Sequence, residues 1–449
     1  MKANRVIIMS AALGLASVGA QAQSMEQMQQ ALAQAQAAAA QAQAAAKQAQ
    51  AALDQALAAV DQLKKTSATV AAAAPAAPAA APFTGSGLTI GNATTNATLY
   101  GLIDITLVNK DNANAKGQTI TSPPVAWFSG NRWGITGSHA TGTGDDAIKA
   151  IFRLESEFES ETGNMDTPGT LFNRDAWLGI ESKTIGKLTI GRQNALARDP
   201  AGSASYGDPY GGAKASVEEG GYTNNNNFKQ LIFYAGSANG TRINNGVVWK
   251  KAFSNGLVAG AQYSFGSTVG SFGTGSSTTG SLAYNGSNFT IAGFATTANI
   301  SDLTHRTVSI GGNMQVTPLI RLNAGYFNYT AQQAAGLGDR TDHAWTVSTK
   351  ITPSGPFDFA LGYQVMSASN AGVNGSGFVQ NAYSDTSGIK ATASGDRATL
   401  YGSVSYHLDS VTEFYVAADH LSTTDGYLAA QANGFKSQNE FGLGMRYKF

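Results

Sequence analysis

The stretch NEFGLGMRYKF, Asn439–Phe449, decides how the rest of the chain folds. Successive side chains of an extended strand point to opposite faces, so Leu443 and Met445 share one face with three aromatic residues, whereas Gly, Arg and Lys occupy the other. A membrane-spanning strand needs about 9–11 tilted residues, apolar toward lipid and small or polar toward a lumen. An open sheet edge cannot face lipid, so this strand must have a partner, which we expect near Leu99. The sequence therefore predicts a closed barrel.

Composition agrees with this interpretation and excludes several other classes of protein. The chain has 449 residues, no net charge, 13% charged residues, 52 Gly and no Cys. Zero net charge gives no reason to expect a nucleic-acid partner, and the absence of Cys excludes disulfides, thiolate metal sites and a lipid-modified Cys. Runs of about 18 or more apolar residues are missing, so we expect no spanning helix in the mature chain. Many Gly and aromatic residues with few charges are typical of transmembrane barrels.

Residues 1–22 have the pattern of a secretory signal peptide. Lys2 and Arg5 precede an apolar run, Val6–Val18, which is followed by an A-x-A cleavage site ending at Ala22. The alternative is a membrane anchor, but the apolar run is too short to span a bilayer. We expect the protein to be exported.

Residues 23–65 are almost entirely Ala and Gln, and their sparse larger apolar residues keep a seven-residue spacing. Ala and Gln favour helix, and the heptad pattern indicates a left-handed coiled coil, about 60 Å long at ~1.5 Å per residue. A single solvated helix or a disordered tail is the alternative, because small core residues bury little surface. The segment resembles the Ala-rich coiled coils of periplasmic envelope lipoproteins, without their lipidated Cys. Its larger core residues are Met25, Met28, Leu32, Leu53, Val60 and Leu63.

Residues 66–97 are predicted to link this helix to the barrel, which occupies residues 98–449. Pro75, Pro78 and Pro82 break the helix and give a semi-rigid, extended Pro/Ala linker. The Gly, Asn and Thr that follow, up to about Thr98, predict irregular chain.

From Thr98 onward, period-two segments predict an all-β fold, a sixteen-stranded antiparallel transmembrane β-barrel. The connections alternate strictly between long and short, which is typical of an up-and-down barrel with short periplasmic turns and long outer loops. An even strand number places both barrel ends, and the N-terminal extension, on the periplasmic side. The patterns near Ser281 and Asn288 are the weakest. The predicted strands are Thr98–Val108, Asn131–Ser138, Ala147–Phe158, Phe172–Glu181, Gly186–Gln193, Ile243–Ala252, Gly256–Phe265, Ser281–Asn285, Asn288–Ala298, His305–Val316, Leu319–Tyr329, Thr341–Ile351, Pro356–Met366, Asp396–His407, Val411–Leu421 and Asn439–Phe449.

Several segments between Leu99 and Phe449 resemble the trimeric general porins of β-proteobacterial outer membranes. The resemblance implies a sixteen-stranded barrel, a homotrimer, and a long third loop folded into the lumen, where the chain has its longest connection, Asn194–Arg242. Within that connection, FKQLIFYAGS (228–237) has a strand-like pattern. The matching segments are LYGLIDITL (99–107), NRWGITGS (131–138), IKAIFRLESEF (148–158), LFNRDAWLGI (171–180), KLTIGRQ (187–193), RINNGVVW (242–249), AGAQYSFG (259–266) and the final FGLGMRYKF.

The sequence contains no catalytic constellation. Its five His are scattered without metal-ligand spacing, and no GxSxG elbow is present. The acidic pairs Asp145–Asp146 and Glu218–Glu219 are typical of solvated loops. We expect no enzyme activity, no cofactor and no metal.

Charged residues of the lumen are the candidate functional groups. Arg132 and Arg153 face the lumen by alternation, whereas Arg174 and Arg192 lie at strand ends in phase with outward residues. The resemblance places Arg132, Arg174 and Arg192 on the wall near a constriction, and all four are candidate basic residues of that constriction. A basic wall facing acidic residues sets a transverse field and favours anions. The candidate acids of the long loop are Asp199, Asp208, Glu218 and Glu219.

Each arginine has a structural alternative, an ion pair or a place at the rim. Glu155 and Glu157 share the face of Arg153 and would neutralise it. The expected function is a water-filled outer-membrane channel for ions and small hydrophilic solutes, with weak anion selectivity. Expected partners are two further copies in a homotrimer, lipid and lipopolysaccharide, with no nucleic acid.

Two other functions remain open. The coiled coil would contact peptidoglycan if the protein is an envelope tether. The channel would be specific for one substrate if the tyrosines of the long loop, Tyr206, Tyr210 and Tyr222, line a solute track.

Overall fold

The computed structural model describes residues 87–124, 126–144, 146–201, 233–375, 377–428 and 433–449. The signal peptide, the coiled coil with its core residues and the Pro/Ala segment lie outside these residues, so they stay predictions. The same holds for Asp208, Glu218, Glu219 and the three tyrosines of the long loop.

Sixteen strands form a closed antiparallel barrel, as the sequence predicts, and two short strands, β1 and β3, add to it. Each barrel strand pairs with the next one along the chain, through to β18. The strands are β1 Leu88–Gly91, β2 Thr95–Lys110, β3 Ile120–Ser122, β4 Arg132–Ala140, β5 Lys149–Glu157, β6 Asp175–Ser182, β7 Gly186–Asn194, β8 Arg242–Ala252, β9 Leu257–Ser264, β10 Ser277–Asn285, β11 Phe289–Ile300, β12 Leu303–Thr317, β13 Ile320–Ala331, β14 Arg340–Ile351, β15 Phe357–Gly372, β16 Thr392–His407, β17 Thr412–Thr423 and β18 Ser437–Lys448.

The last strand closes the barrel against the first, where the C-terminal sequence predicts its partner. Met445 pairs with Ile105 and Leu443 pairs with Leu107 in the antiparallel register of β18 and β2. At the end of the chain, the backbone N–H of Gly101 donates to the carbonyl of Phe449 at 2.8 Å. Closure leaves no unpaired edge between these two strands, which is the condition for a sheet in lipid.

Side chains alternate between an apolar outer face and a mostly polar inner face. Leu443, Ile105 and Leu107 are 45%, 51% and 53% exposed on the outside. On β15, Leu361 and Tyr363 point outward, whereas Gln364 is buried inside. Large apolar side chains on the outside reverse the arrangement of a water-soluble protein, because lipid rather than water meets this surface.

The two weakest strand patterns belong to regular strands, β10 and β11. Both alternate cleanly between buried and exposed residues. Their inner faces carry small polar side chains, such as Thr279 and Thr296, whose hydroxyls lie 2.9 Å apart across the pair. Small residues on both faces weaken the hydropathy contrast without weakening the backbone ladder.

Three expectations about the connections are wrong. The chain up to Thr98 is not irregular, because β1 forms a hairpin with β2 and pairs with Asn96–Leu99. Phe233 and Tyr234 form a helical turn, so the described part of 228–237 is no strand. Loop lengths do not alternate strictly, since β11 and β12 are joined on the long-loop side by Ser301 and Asp302 alone. Both residues have positive φ, as a tight two-residue hairpin requires.

Both described ends of the longest connection lie on the inner face of the barrel. Leu196 packs with Ile243, Val248 and Val258 on the inner face of β8 and β9. A single helical turn, α1 (Arg198–Ala201), follows. None of the helices in the described ranges is long and apolar enough to cross a membrane.

Candidate functional site: the charged wall of the lumen

Three predicted arginines lie in one cluster on and beside β4, β5 and β6, and two of them form buried ion pairs. The guanidinium of Arg174 donates to Glu155 and to Glu157, and each of the three side chains is about nine-tenths buried. Arg132 lies opposite Glu157 in the register of β4 and β5. Its charge acts on both Glu155 and Glu157. The carboxylates that face these arginines therefore come from the barrel wall.

Arg153 is held by a carboxylate and by two aromatic rings. Its guanidinium lies 3.5 Å from Asp175 and over the rings of Tyr100 and Trp177, at 5.9 and 5.7 Å from their centroids. The Tyr100 hydroxyl donates to Glu155 at 2.7 Å, which connects this pair to the Arg174 cluster. The arrangement keeps the positive charge fixed on the inner wall.

Arg192 lies apart from the cluster. It pairs with Ala176 on β6 and shares the outward face of Leu188 and Ile190. Its guanidinium donates to the Asn173 carbonyl at 2.7 Å and to the Asn244 side chain. The register of β7 against β8 shifts beside it, so the strand end tilts without turning this side chain onto the inner face.

Two further arginines belong to the cluster and were not predicted. Arg198, on α1, is 7% exposed and donates to Asn194 at 2.9 Å. Arg242 begins β8 and acts electrostatically on Arg174 and Arg198. Only the expectation that the long loop folds inward would have pointed to them, because both lie at the ends of that loop.

One of the four candidate loop acids, Asp199, is described, and its charge acts on Arg198 of the cluster. Asp199 is fully buried on α1 and pairs with Lys250 of β8. The pair ties the start of the long connection to the wall. Among the residues in the ranges given above, no group of three or more His, Asp or Glu side chains is arranged to hold a metal ion.

A second segment, 126–131, folds inward beside β18. Trp127 donates its indole N–H to Glu440 at 2.6 Å. The Phe128 ring stacks on Tyr415 with centroids 3.9 Å apart, and the Arg446 guanidinium lies 5.1 Å from the Phe128 centroid. This segment covers the inner face of the closing strands, so the lumen is narrowed from that side.

Comparison with known proteins agrees with this architecture. A family model described as Gram-negative porin matches residues 66–426. An outer membrane porin protein of Bordetella pertussis is 34% identical over 131 residues, which cover 26% of this chain and 32% of that protein. The match thus spans about a third of the length of this curated relative.

Two solved structures share the fold at low sequence identity. An anion-selective porin from Comamonas acidovorans has a TM-score of 0.59 at 18% identity, covering 79% of this chain and 100% of that one. The trimer form of OmpT, an outer membrane protein of Vibrio cholerae, has a TM-score of 0.55 at 14% identity, with 79% and 100% covered. Because the family model matches well over half of a chain that closes into this barrel, the protein belongs to the Gram-negative porins and is located in the outer membrane.

Proposed function

We propose that the chain forms a water-filled channel through which ions and small hydrophilic solutes diffuse passively across the outer membrane, with weak anion selectivity. The observation that carries the proposal is an excess of positive charge on one inner wall. Five clustered arginines face three carboxylates of the wall, Glu155, Glu157 and Asp175. A fourth carboxylate, Asp199, acts on Arg198 while it pairs with Lys250. The arginines are Arg132, Arg153, Arg174, Arg198 and Arg242.

The balance of these charges supports weak rather than strong selectivity. Arg174 and Arg153 are paired with carboxylates, so a passing anion meets mainly the remaining positive charge. In water, one unit charge acts on another at 4 Å with about 1 kcal/mol, and salt screens part of it. Asp208, Glu218 and Glu219 would lower the preference further if they line the constriction, as the sequence predicts.

The outer surface supports partners of two kinds. Exposed Leu, Ile and aromatic side chains suit lipid and, at the outer rim, lipopolysaccharide. We also infer a homotrimer, which buries part of this apolar surface. The predicted coiled coil would contact peptidoglycan. The family and the barrel support a channel rather than an enzyme.

Reversal potentials across planar bilayers in a KCl gradient test the proposal. Purified protein should conduct, and the potential should have the sign of a modest anion preference. Clear cation selectivity would contradict the proposal that the arginine wall sets the selectivity. A protein that folds and inserts into the bilayer without conducting would contradict the channel function.

A further inference from the structure

The inner wall opposite the arginine cluster contains a preformed cavity. Strands β14, β15 and β16 line it, and the described residues of the long connection 373–391 fold over it. The cavity has a volume of about 380 Å³, within the range of small-molecule sites. Its mouth is formed by exposed Asn374, Phe378 and Asn381, and its floor by buried Arg340 and Arg397.

Hydrogen bonds to the wall hold the covering connection in place. The Tyr383 N–H donates to the Tyr329 hydroxyl at 2.9 Å, and Thr386 donates to the Gln332 carbonyl at 2.8 Å. Arg340 donates to the Gln380 carbonyl at 2.6 Å. These contacts join β13, the residue that follows it and β14 to the connection, so the cavity does not have to be formed by the solute.

The charged side chains that line the cavity are hydrogen-bond donors suited to an anion. Of the described residues that line it, both charged ones are arginines and none is acidic. Arg340 is bonded through two nitrogens to Asp342, and this buried ion pair fixes the plane of the guanidinium. Arg397 is 2% exposed at the same floor. Guanidinium groups bind carboxylates with directional, charge-assisted hydrogen bonds.

Aromatic rings make up much of the remaining surface. Phe233 and Tyr234 reach the cavity from the end of the long connection, Phe378 stands at the mouth and Tyr427 at the floor. Such rings bind a flat apolar body through stacked or edge-to-face contacts. The Tyr427 hydroxyl is buried and has no hydrogen-bond partner in the part of the chain that the structure describes, so it has a donor to offer.

We propose that this cavity is a solute subsite for small aromatic carboxylates. The inference rests on the proposed channel and names the solute class that would be retained on its way through. An inorganic anion would use the arginines and leave the rings unoccupied. A neutral aromatic solute would use the rings and leave the donors of the floor unused.

Current recordings on the full-length protein, with sodium benzoate added on the long-loop side, test the subsite. Benzoate should interrupt the current at about tenfold lower concentration than acetate or benzyl alcohol, because a ring contact and a charge contact each add about that factor. Phe378→Ala should remove most of the difference between benzoate and acetate, and Arg397→Gln should remove most of the difference between benzoate and benzyl alcohol. The control Phe272→Ala removes a ring that is 71% exposed on another long loop. It should leave both differences in potency unchanged.

The outcomes separate the subsite from the channel. Equal potency of benzoate and acetate in a conducting channel would overturn the subsite and leave the channel intact. Unchanged benzoate potency in Phe378→Ala would also overturn the subsite. If Arg397→Gln does not fold, Phe378→Ala alone tests it. If no current is seen at all, titration calorimetry of benzoate against acetate on the detergent-solubilised protein still decides whether the subsite exists.

Discussion

Tyr415 of β17 lies directly over Gly444 of β18, on the inner face of the closing strands. A Cβ built on Gly444 would lie 2.3 Å from Cζ and Oη of this tyrosine. The ring cannot move aside easily, because its hydroxyl donates to Asp104 and its face stacks on Phe128. Glycine at this position therefore makes room for the Tyr415 ring, on which Phe128 of segment 126–131 stacks.

Gly444→Ala should destabilise the barrel by about 1–3 kcal/mol, the usual cost of an overpacked site. The measurement is the denaturant midpoint of the refolded protein in detergent. Gly280→Ala is the matched control, because this strand glycine has nothing within 4 Å of a built Cβ. Equal midpoints for the two variants would contradict the packing described here.

Arg174→Gln should cost about 3 kcal/mol, because it leaves two buried carboxylates without their shared partner. Glu155 and Glu157 both accept from Arg174. Replacing both glutamates with Gln in the same chain should restore most of the lost stability. The measurement is the denaturant midpoint of the single and triple variants. A triple variant as unstable as the single one would show that the arginine stabilises the barrel through packing and not by compensating the carboxylates.

Arg132→Gln should lower the anion-to-cation permeability ratio by about two- to fivefold, the upper value matching one unit charge acting at ~4 Å in water. The two glutamates keep Arg174 as a partner, so the variant should fold. Arg306→Gln removes an exposed arginine on the outer face of β12 and should leave the ratio unchanged. Arg192→Gln should also leave the ratio unchanged. This result would separate the arginine wall seen in the structure from the one predicted from the sequence, which includes Arg192.

Acidification should loosen the 373–391 connection through Asp385. Hydrogen bonds from the Ser387 N–H and the Ser301 hydroxyl hold the pKa of this carboxyl below its usual range. A lowered pKa in the folded state means that the contribution is present at neutral pH and is lost as the pH falls below about 4.

Open-channel current noise on the long-loop side is the measurement for this prediction. It should rise below about pH 4 in the native protein, whereas Asp385→Asn should already be noisy at neutral pH. Asp339→Asn, in the connection between β13 and β14, is the control. An acid response that persists in full in Asp385→Asn would assign it to another group.

The charged site could be predicted only in part from the sequence. Arg132 and Arg153 lie within regular stretches of alternating residues, at the start of β4 and in the middle of β5, so alternation places them on the inner wall. Arg192 lies next to a register shift, where alternation and family resemblance disagree, and its side chain follows the outward phase. Arg198 and Arg242 belong to the cluster because the long connection folds inward, which no local pattern reveals.

The sequence by itself determined the strand number, the face of most strand residues and the pairing of the last strand with the first. It could do so because side chains alternate with period two and because every backbone group in lipid needs a partner, which forces closure. Tertiary structure decided which inward residues meet, since Tyr234 and Asp342, or Tyr415 and Phe128, come together from segments far apart in the chain. It also decided which connections fold inward, because that depends on the shape of the wall they pack against.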